Sequence, residues 1–586
     1  MANEISTDER TKSETEKGIM PMLAQETDSH PVAEEVETDS LLAMNRWRRM
    51  GIILVLNTVT MIAAFDATSI CVILPSVAKQ LNASFSISLG MGSAVLLASA
   101  ISQPIFAELA QVIGRRPAYL ASLVFFMTGS IVSGTAKNSV ALLVGRAIQG
   151  IGSGGPQALS GLVMADLYSA RKRSGSMAYQ QASWALGTVT GPLVGGAIVQ
   201  GKDSAWRWIF RASLPFLALS FIGAWALMGY DQHQRNIRDI KNIDWIGILL
   251  YIISAVCLVV PLSWGGSRFP WKSPAVFVPF IVSFFAFIAL GLYERKAKRP
   301  MFRQGLFRNR STICHLAMSA LQGLLMWMVL YYLAIYIMGV KSQTPLMTGV
   351  WALPATITVA PMAAAVGVVT KKTGRYQWFL IGGWCLLVTM FGILTILDEH
   401  SSTGAILVLA LFMGIAMGLV FPVMTIGVQA TCDEQDAGHA ISMISVLRTM
   451  GQCLGIAVGM SIFSTQLAKE LKKVGLGDVP VNNAMQLMRA SIETGLGHNI
   501  MAKTVSASLK KLWMVGSIMA GVGLVLCLFV RCPRIPKDDD SNSQGKGTTR
   551  EGEEGNNLGP EKDSRDAFAG QVWEWLKPCL RPEPES

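Results

Sequence analysis

The chain is predicted to be an all-α polytopic membrane protein: fourteen transmembrane helices, as two six-helix halves plus two inserted helices. Composition, the length of its apolar runs and an internal repeat predict this. Only 15% of the 586 residues are charged and 51% are hydrophobic, with a mean hydropathy of +0.41. A soluble protein of this size needs more charge to cover its surface. The apolar residues fall in runs of about 18–25, the length that crosses a ~30 Å hydrocarbon core.

Taken in order, residues 1–45 are polar and acid-rich and lack the charged-then-apolar order of a signal peptide. They are expected to be a disordered cytoplasmic tail. The N-terminal half, 46–230, holds spans at 50–74, 88–110, 117–136, 139–164, 178–200 and 211–230. The linker, 231–311, carries the two inserted spans, 244–263 and 275–293. The C-terminal half, 312–531, holds 312–339, 348–370, 377–397, 404–430, 438–465 and 511–531, with a long outside loop at 466–510. Residues 532–586 form a cytoplasmic, mostly disordered tail rich in Asp, Glu, Gly, Ser and Lys. Its aromatic stretch FAGQVWEWLKPCL (568–580) is either a short interfacial helix or a tail without a role.

The loops set the orientation. With the N-terminus inside, the inside segments hold 21 basic residues and the short outside loops hold 8. That bias places both termini in the cytoplasm. Basic residues in the 466–510 loop run against it, but long loops count weakly. The net charge of +11 is accounted for by these loops, so no nucleic-acid partner is implied. Asn82-Ala83-Ser84 is a glycosylation sequon on the first outside loop.

The repeat is carried by glycine. Residues 187–196 read GTVTGPLVGG, with Gly187, Gly191 and Gly195 one helical turn apart. The same spacing recurs at Gly451, Gly455 and Gly459, an offset of 264. A second pair, GRR at 114–116 and GRY at 374–376, has an offset of 260. Two features at nearly one offset argue for duplicated halves. A face without side chains is a groove for close helix packing. Pro192 removes one backbone bond and bends the helix there.

Intramembrane charges are rare and are usually paired or functional. Asp66 lies ~24 Å from the inner side, and Arg146 ~10 Å from the outer side, at 1.5 Å per residue. Both land in the outer half at similar depth. Either they form a static structural pair, or a proton on Asp66 loosens its hold on Arg146 and biases the helices toward another state. Arg448 either plays a similar role in the second half or reaches toward water, and the latter reading is preferred. A substrate cavity is expected at the midplane. Its candidate lining includes Gln149, Gln180, Trp184, Gln322 and Tyr332, a mixture suited to a broad apolar ligand. Helix–helix hydrogen bonding accounts equally well for any one of them. No cluster of charges marks an ionic substrate.

Five stretches in the right order resemble one family. FDATSICVILP (65–75), GRRPAYL (114–120), RAIQGIGSGG (146–155), GTVTGPLVGG (187–196) and WRWIFRASLP (206–215) are similar to motifs of the major facilitator superfamily, specifically its fourteen-helix drug:proton antiporters of fungal type. The resemblance covers about residues 46–531. It implies the major facilitator fold, a coupling role for Arg146, and a gating loop at Gly114, Arg115 and Arg116. It also implies an antiporter motif at Gly187, Gly191, Pro192, Gly195 and Gly196, placed near the junction of the halves. The loop motif departs from its usual form: Ala107 and Gln111 stand where glycine and aspartate are usual, with Glu108 one turn away as a substitute.

These readings point to a proton-coupled exporter of lipophilic drugs, toxins or fungal secondary metabolites. The alternative is a proton-coupled importer of a solute such as a siderophore or basic amino acid. The expected partners are a lipophilic substrate, protons and the bilayer; the expected state is a monomer in the plasma membrane, with the vacuolar membrane as the alternative. No P-loop occurs, so energy comes from an ion gradient. Scattered histidines and single cysteines give no catalytic or metal constellation, so no enzyme activity, cofactor or metal is expected.

Overall fold

Fourteen long helices follow one another in the computed structural model, which describes residues 45–168, 170–201, 203–229, 243–297, 300–302, 304–432, 437–475 and 498–532. The two terminal tails, residues 231–242 of the linker and 476–497 of the long loop lie outside the described residues. The N-terminal half comprises α1 (Arg46–Gln80), α2 (Phe85–Val112), α3 (Arg115–Thr135), α4 (Ser139–Leu167), α5 (Ala170–Gly201) and α6 (Arg207–Leu227). The inserted pair is α7 (Trp245–Trp264) and α8 (Pro274–Glu294). The C-terminal half comprises α9 (Arg310–Gly339), α10 (Pro345–Thr373), α11 (Gln377–Leu394), α12 (Thr403–Thr431), α13 (Ala437–Lys473) and α14 (His498–Leu528).

Helix is the only way for a lone segment to satisfy its backbone in lipid, and the sequence places the ends. Asn138 Oδ1 accepts from Ala141 N at 2.7 Å and starts α4. Asp244 Oδ1 accepts from Gly247 N at 2.9 Å and starts α7. At the other end of α10, Gly374 takes φ +68°, the left-handed conformation that stops a helix. Several helices outrun their apolar runs. α13 continues to Lys473 and α14 begins at His498, so the loop expected at 466–510 is largely helical where described. QLAKELKK (466–473) consists almost entirely of strong helix formers, and apolar length marks the membrane rather than the helix.

Among the described residues, thirteen helices are long and apolar enough to cross a membrane. α4 is the fourteenth. Its 29 residues span ~44 Å, but Arg146, Gln149, Gln157 and its glycines lower its hydropathy. Those groups face neighbouring helices instead of lipid. Gly150 sits against Val95 O and Ala98, and Gly152 against the backbone of Phe126.

The helix partners repeat. α1 packs on α5 and α6, α2 on α4, and α3 on α4 and α6. The same pairs recur eight helices later: α9 with α13 and α14, α10 with α12, and α11 with α12 and α14. The two most extensive contacts between the halves are α5 with α10 and α2 with α13, and the repeat exchanges one for the other. The inserted pair packs on itself, with Ser283 Oγ donating to Ser254 O at 2.8 Å. α7 touches both halves. Tyr251 Oη donates to Ala100 O of α2 at 3.4 Å, and Ser461 Oγ of α13 donates to Gly265 O at 3.2 Å.

Candidate functional site

Asp66 of α1 and Arg146 of α4 meet in the N-terminal half. Arg146 is 0% exposed and Asp66 4%. Arg146 Nη1 donates to Asp66 Oδ2 at 2.5 Å and to Gln149 Oε1 at 2.9 Å. Gln149 Nε2 in turn donates to Asp66 Oδ1 at 3.0 Å and to Ser130 Oγ of α3 at 3.1 Å. The guanidinium also lies 5.5 Å from the centre of the Phe210 ring of α6. Gln149, a candidate for the cavity wall, thus sits inside the ion-pair network. It is three residues from Arg146, one helical turn, and so bridges the guanidinium and the carboxylate. Above the pair, Tyr331 of α9 donates to Ala67 O at 3.5 Å, so the opposite half helps to close it off.

The glycine run divides between two contacts. A Cβ at Gly187 would meet Ala64 Cβ at 2.7 Å, one at Gly191 would meet Phe65 O at 2.8 Å, and one at Gly195 would meet Ser69 Cβ at 3.2 Å. All three lie on α1, within one half. Gly196 and Pro192 face the other half: a Cβ at Gly196 would fall 2.6 Å from Pro345 O, and one at Gly349 of α10 would fall 2.7 Å from Pro192 O. The junction implied by resemblance is therefore made at positions 192 and 196, and the spaced glycines pack inward. Their counterparts do the same. Gly451 and Gly455 lie against the backbone of Ala320 and Leu324 on α9, and Gly459 against the Tyr332 ring. Pro192 lies within α5, which runs on as helix to Gly201.

The loop motif gathers at the face where α1 begins. Gly114 takes φ +102° at the turn into α3, a region that disfavours any side chain. Arg115 Nε donates to Asp166 Oδ2 at 3.1 Å, and the Arg116 guanidinium lies 5.7 Å from the Trp225 ring centre. Gln111 Nε2 lies 3.4 Å from His439 Nε2 of α13, a contact between halves. Glu108, Gln111 and His439 line one cleft with Met301 and Phe302 of the linker. Asn82 is exposed in the turn after α1, at φ +47°.

The remaining cavity candidates separate. Tyr332 Oη donates to Ile456 O at 3.0 Å, a bond inside the C-terminal half. Gln180 is partly exposed on α5. Trp184 reaches across to Trp327 of α9, with ring centres 6.4 Å apart. Gln322 is buried on α9. The contacts that sequence reasoning missed are those between halves: Trp327, His439, and Thr449, which accepts from Gln103 of α2 at 2.9 Å. Their partners stand hundreds of residues away, and no local pattern marks them.

Comparison with known proteins places this geometry. The model of the Major Facilitator Superfamily matches residues 56–456. The chain is 36% identical over 492 residues to the MFS transporter L2 of a Phoma species, covering 83% of this chain and 82% of that one. It is 31% identical to the efflux pump FUS6 of Gibberella moniliformis, over 80% and 86% of the two chains. Among solved structures, a bacterial homologue of the human lysosomal transporter Spinster, inward-facing and unoccupied, shares 14% identity at a TM-score of 0.58, covering 83% of this chain and 97% of that one. The Escherichia coli xylose transporter XylE, partially occluded and inward-open, shares 13% identity at 0.52, over 84% and 98%. The structural likenesses speak for the fold, and the sequence relatives carry the kinship further. The chain belongs to the Major Facilitator Superfamily, membrane transporters rather than enzymes, and is related to fungal members named as efflux pumps.

Proposed function

We propose that this chain is a proton-coupled exporter of lipophilic small molecules, of the toxin and secondary-metabolite class, working by alternating access. One observation carries the coupling: a carboxylate and a guanidinium, both buried in one bundle, share a single amide partner, Gln149. A buried ion pair is tightly conditional. Removing one charge strands the other at a cost of about 3–5 kcal/mol. A proton arriving on Asp66 is such a removal. Arg146 then keeps Gln149 and the weak 3.4 Å bond to Met91 O, and the balance between conformations shifts.

In this reading the halves 46–230 and 312–531 move as bodies about the α5–α10 and α2–α13 contacts. Gly196 and Pro192 seal one contact, and Gly114, Arg115 and Arg116 gate the face where α1 begins. That face is cytoplasmic, with both termini on it, and the protein is a plasma-membrane monomer. Export rather than import is favoured by relatives named as efflux pumps.

The test is dye efflux from yeast lacking its own drug pumps. Loss of apolar fluorescent dyes that a protonophore stops, in cells where the protein reaches the surface, is the expected result. Dye accumulation above control would reverse the direction, and efflux indifferent to the protonophore would remove proton coupling.

A further inference from the structure

Arg448 of α13 has a surrounding quite unlike that of Arg146. Among the described residues its side chain makes one hydrogen bond, from Nη2 to Phe421 O of α12 at 3.3 Å, and its guanidinium lies 4.1 Å from the centre of the Phe421 ring. Its Nε is buried without an acceptor, and no carboxylate among the described residues pairs with it. Guanidinium carries five donors and does not lose its charge. A cation held in the membrane interior on one carbonyl and one ring lacks most of the compensation such a group needs. A carboxylate meets the guanidinium fork in two parallel hydrogen bonds.

The repeat locates this cation. Arg448 and Trp184 each stand three residues before the first glycine of a matched run, Gly451 and Gly187. Those runs pack equivalently on α9 and α1, so the two residues occupy equivalent depths on opposite halves. They are also linked through α9. Gly323 lies against the backbone of Arg448, and Trp327, one turn further along, meets Trp184. Both indole N–H groups are buried without acceptors, and Gln322 Oε1, next to Gly323 in the chain, is buried without a donor. Trp184 and Trp327 thus stand one turn along α9 from the point where the Arg448 backbone packs, beside a residue whose cation has no carboxylate partner among the described residues.

We infer that the transported molecules include organic acids, whose carboxylate pairs with Arg448 while an apolar body lies against Trp184 and Trp327. This rests on the transport reading above and narrows its substrate class. The sequence shows no cluster of charges because one cation in the same neighbourhood as an aromatic pair suffices for a monoanion.

The test uses the full-length protein in phosphatidylcholine nanodiscs. Three probes, 4-phenylbutyrate, 1-naphthylacetate and 1-pyrenebutyrate, are each paired with their methyl ester, and binding is measured by equilibrium dialysis against empty discs. At least one acid is expected to bind tenfold or more tightly than its ester. Arg448→Met should abolish that preference with ester affinity within about twofold of wild type, and Arg448→Lys should keep part of it. A measurement on the unaltered protein guards against misfolding of the variants: the preference should vanish as pH falls below about 4–5 and the probe is protonated. The inference is overturned if no acid outbinds its ester, absence of binding included, or if the preference survives in a folded Arg448→Met protein. Binding depends on neither direction nor coupling. Loss of acid preference with protonophore-sensitive dye efflux intact therefore overturns this inference alone, and the converse overturns the export reading alone.

Discussion

Replacing Asp66 by asparagine tests the coupling pair most directly. The change keeps size and one acceptor oxygen, removes the charge, and replaces the second oxygen by an N–H donor. In the native network both carboxylate oxygens are engaged, Oδ2 by Arg146 and Oδ1 by Gln149. With asparagine, Arg146 retains Gln149 Oε1 at 2.9 Å and a neutral amide oxygen, at 0% exposure. The surviving acceptors put the cost at the low end of the 3–5 kcal/mol range for breaking a buried pair, about 3 kcal/mol. At ~1.4 kcal/mol per factor of ten, that is a shift of roughly 100-fold between conformations that hold the pair and those that do not. Reversing a two-state balance from 1:99 to 99:1 takes about 5.5 kcal/mol, so the pair alone supplies about half of a full switch. The assay is flux in proteoliposomes, driven by a pH gradient or measured as exchange at equal pH. Asp66→Asn should lose at least tenfold in gradient-driven flux while exchange stays within about threefold. Gradient-driven flux at the wild-type rate, with wild-type pH dependence, would show that the pair is static and the reasoning wrong.

Three further outcomes follow from the geometry. Gly191→Ala and Gly455→Ala press a methyl group against the backbone of Phe65 and Leu324 and should each lower stability by about 1–3 kcal/mol. Gly382→Ala, with nothing within 4 Å, should be neutral or gain up to ~1 kcal/mol from helix propensity; comparing melting temperatures separates close packing from generic loss of glycine. Arg115→Gln breaks a pair that is 24% and 35% exposed, so stability should fall by less than about 1 kcal/mol; a larger loss would mean that the contact bears more than its exposure suggests. Between α11 and α12, the Ser401 hydroxyl and the backbone N–H groups of His400 and Ser401 hold the Asp398 carboxyl below its ordinary value. A depressed acid stabilises above its unfolded pKa, and the gain is lost as pH falls through the folded one. Asp398→Asn should therefore melt lower than wild type at pH 7, and the difference should close below about pH 4; a difference that widened on acidification would contradict the sign.

The elements legible in sequence are those that a period or a length encodes. Spans emerge because twenty apolar residues have one use, and the halves emerge because glycine at every fourth position leaves a countable register. The Asp66–Arg146 meeting was legible for a related reason: 1.5 Å per residue converts position into depth, and two charges at one depth in lipid have few alternatives. What depth cannot give is direction around the helix axis. Gln149 and Trp184 are both polar-capable residues near the midplane, yet one turns into the ion pair and the other toward the opposite half. The same blindness hid the division of the glycine run, since Gly195 and Gly196 differ by 100° on the helix and so serve α1 and α10 separately.

Arg448 shows where the limit bites. Read alone, a basic residue about three turns into a helix fits a side chain extending to water. Its meaning depends on what is missing around it, and that is a property of four helices at once, α5, α9, α12 and α13. The register supplies what the residue itself lacks. Position 184 in one half is tryptophan and position 448 in the other is arginine, so duplication left the two walls at equal depth and divergence made one aromatic and the other cationic. The ion pair has diverged likewise: the offset that carries Trp184 to Arg448 carries Arg146 to Ala410. The buried carboxylate–guanidinium pair thus stands in the N-terminal half, and the guanidinium that no carboxylate among the described residues pairs with stands in the C-terminal half. A transporter that must bind a proton and a solute in separate steps needs such a separation. The same asymmetry requires that Arg448 variants change which solutes bind and leave the pH dependence of exchange intact, while Asp66 variants do the reverse.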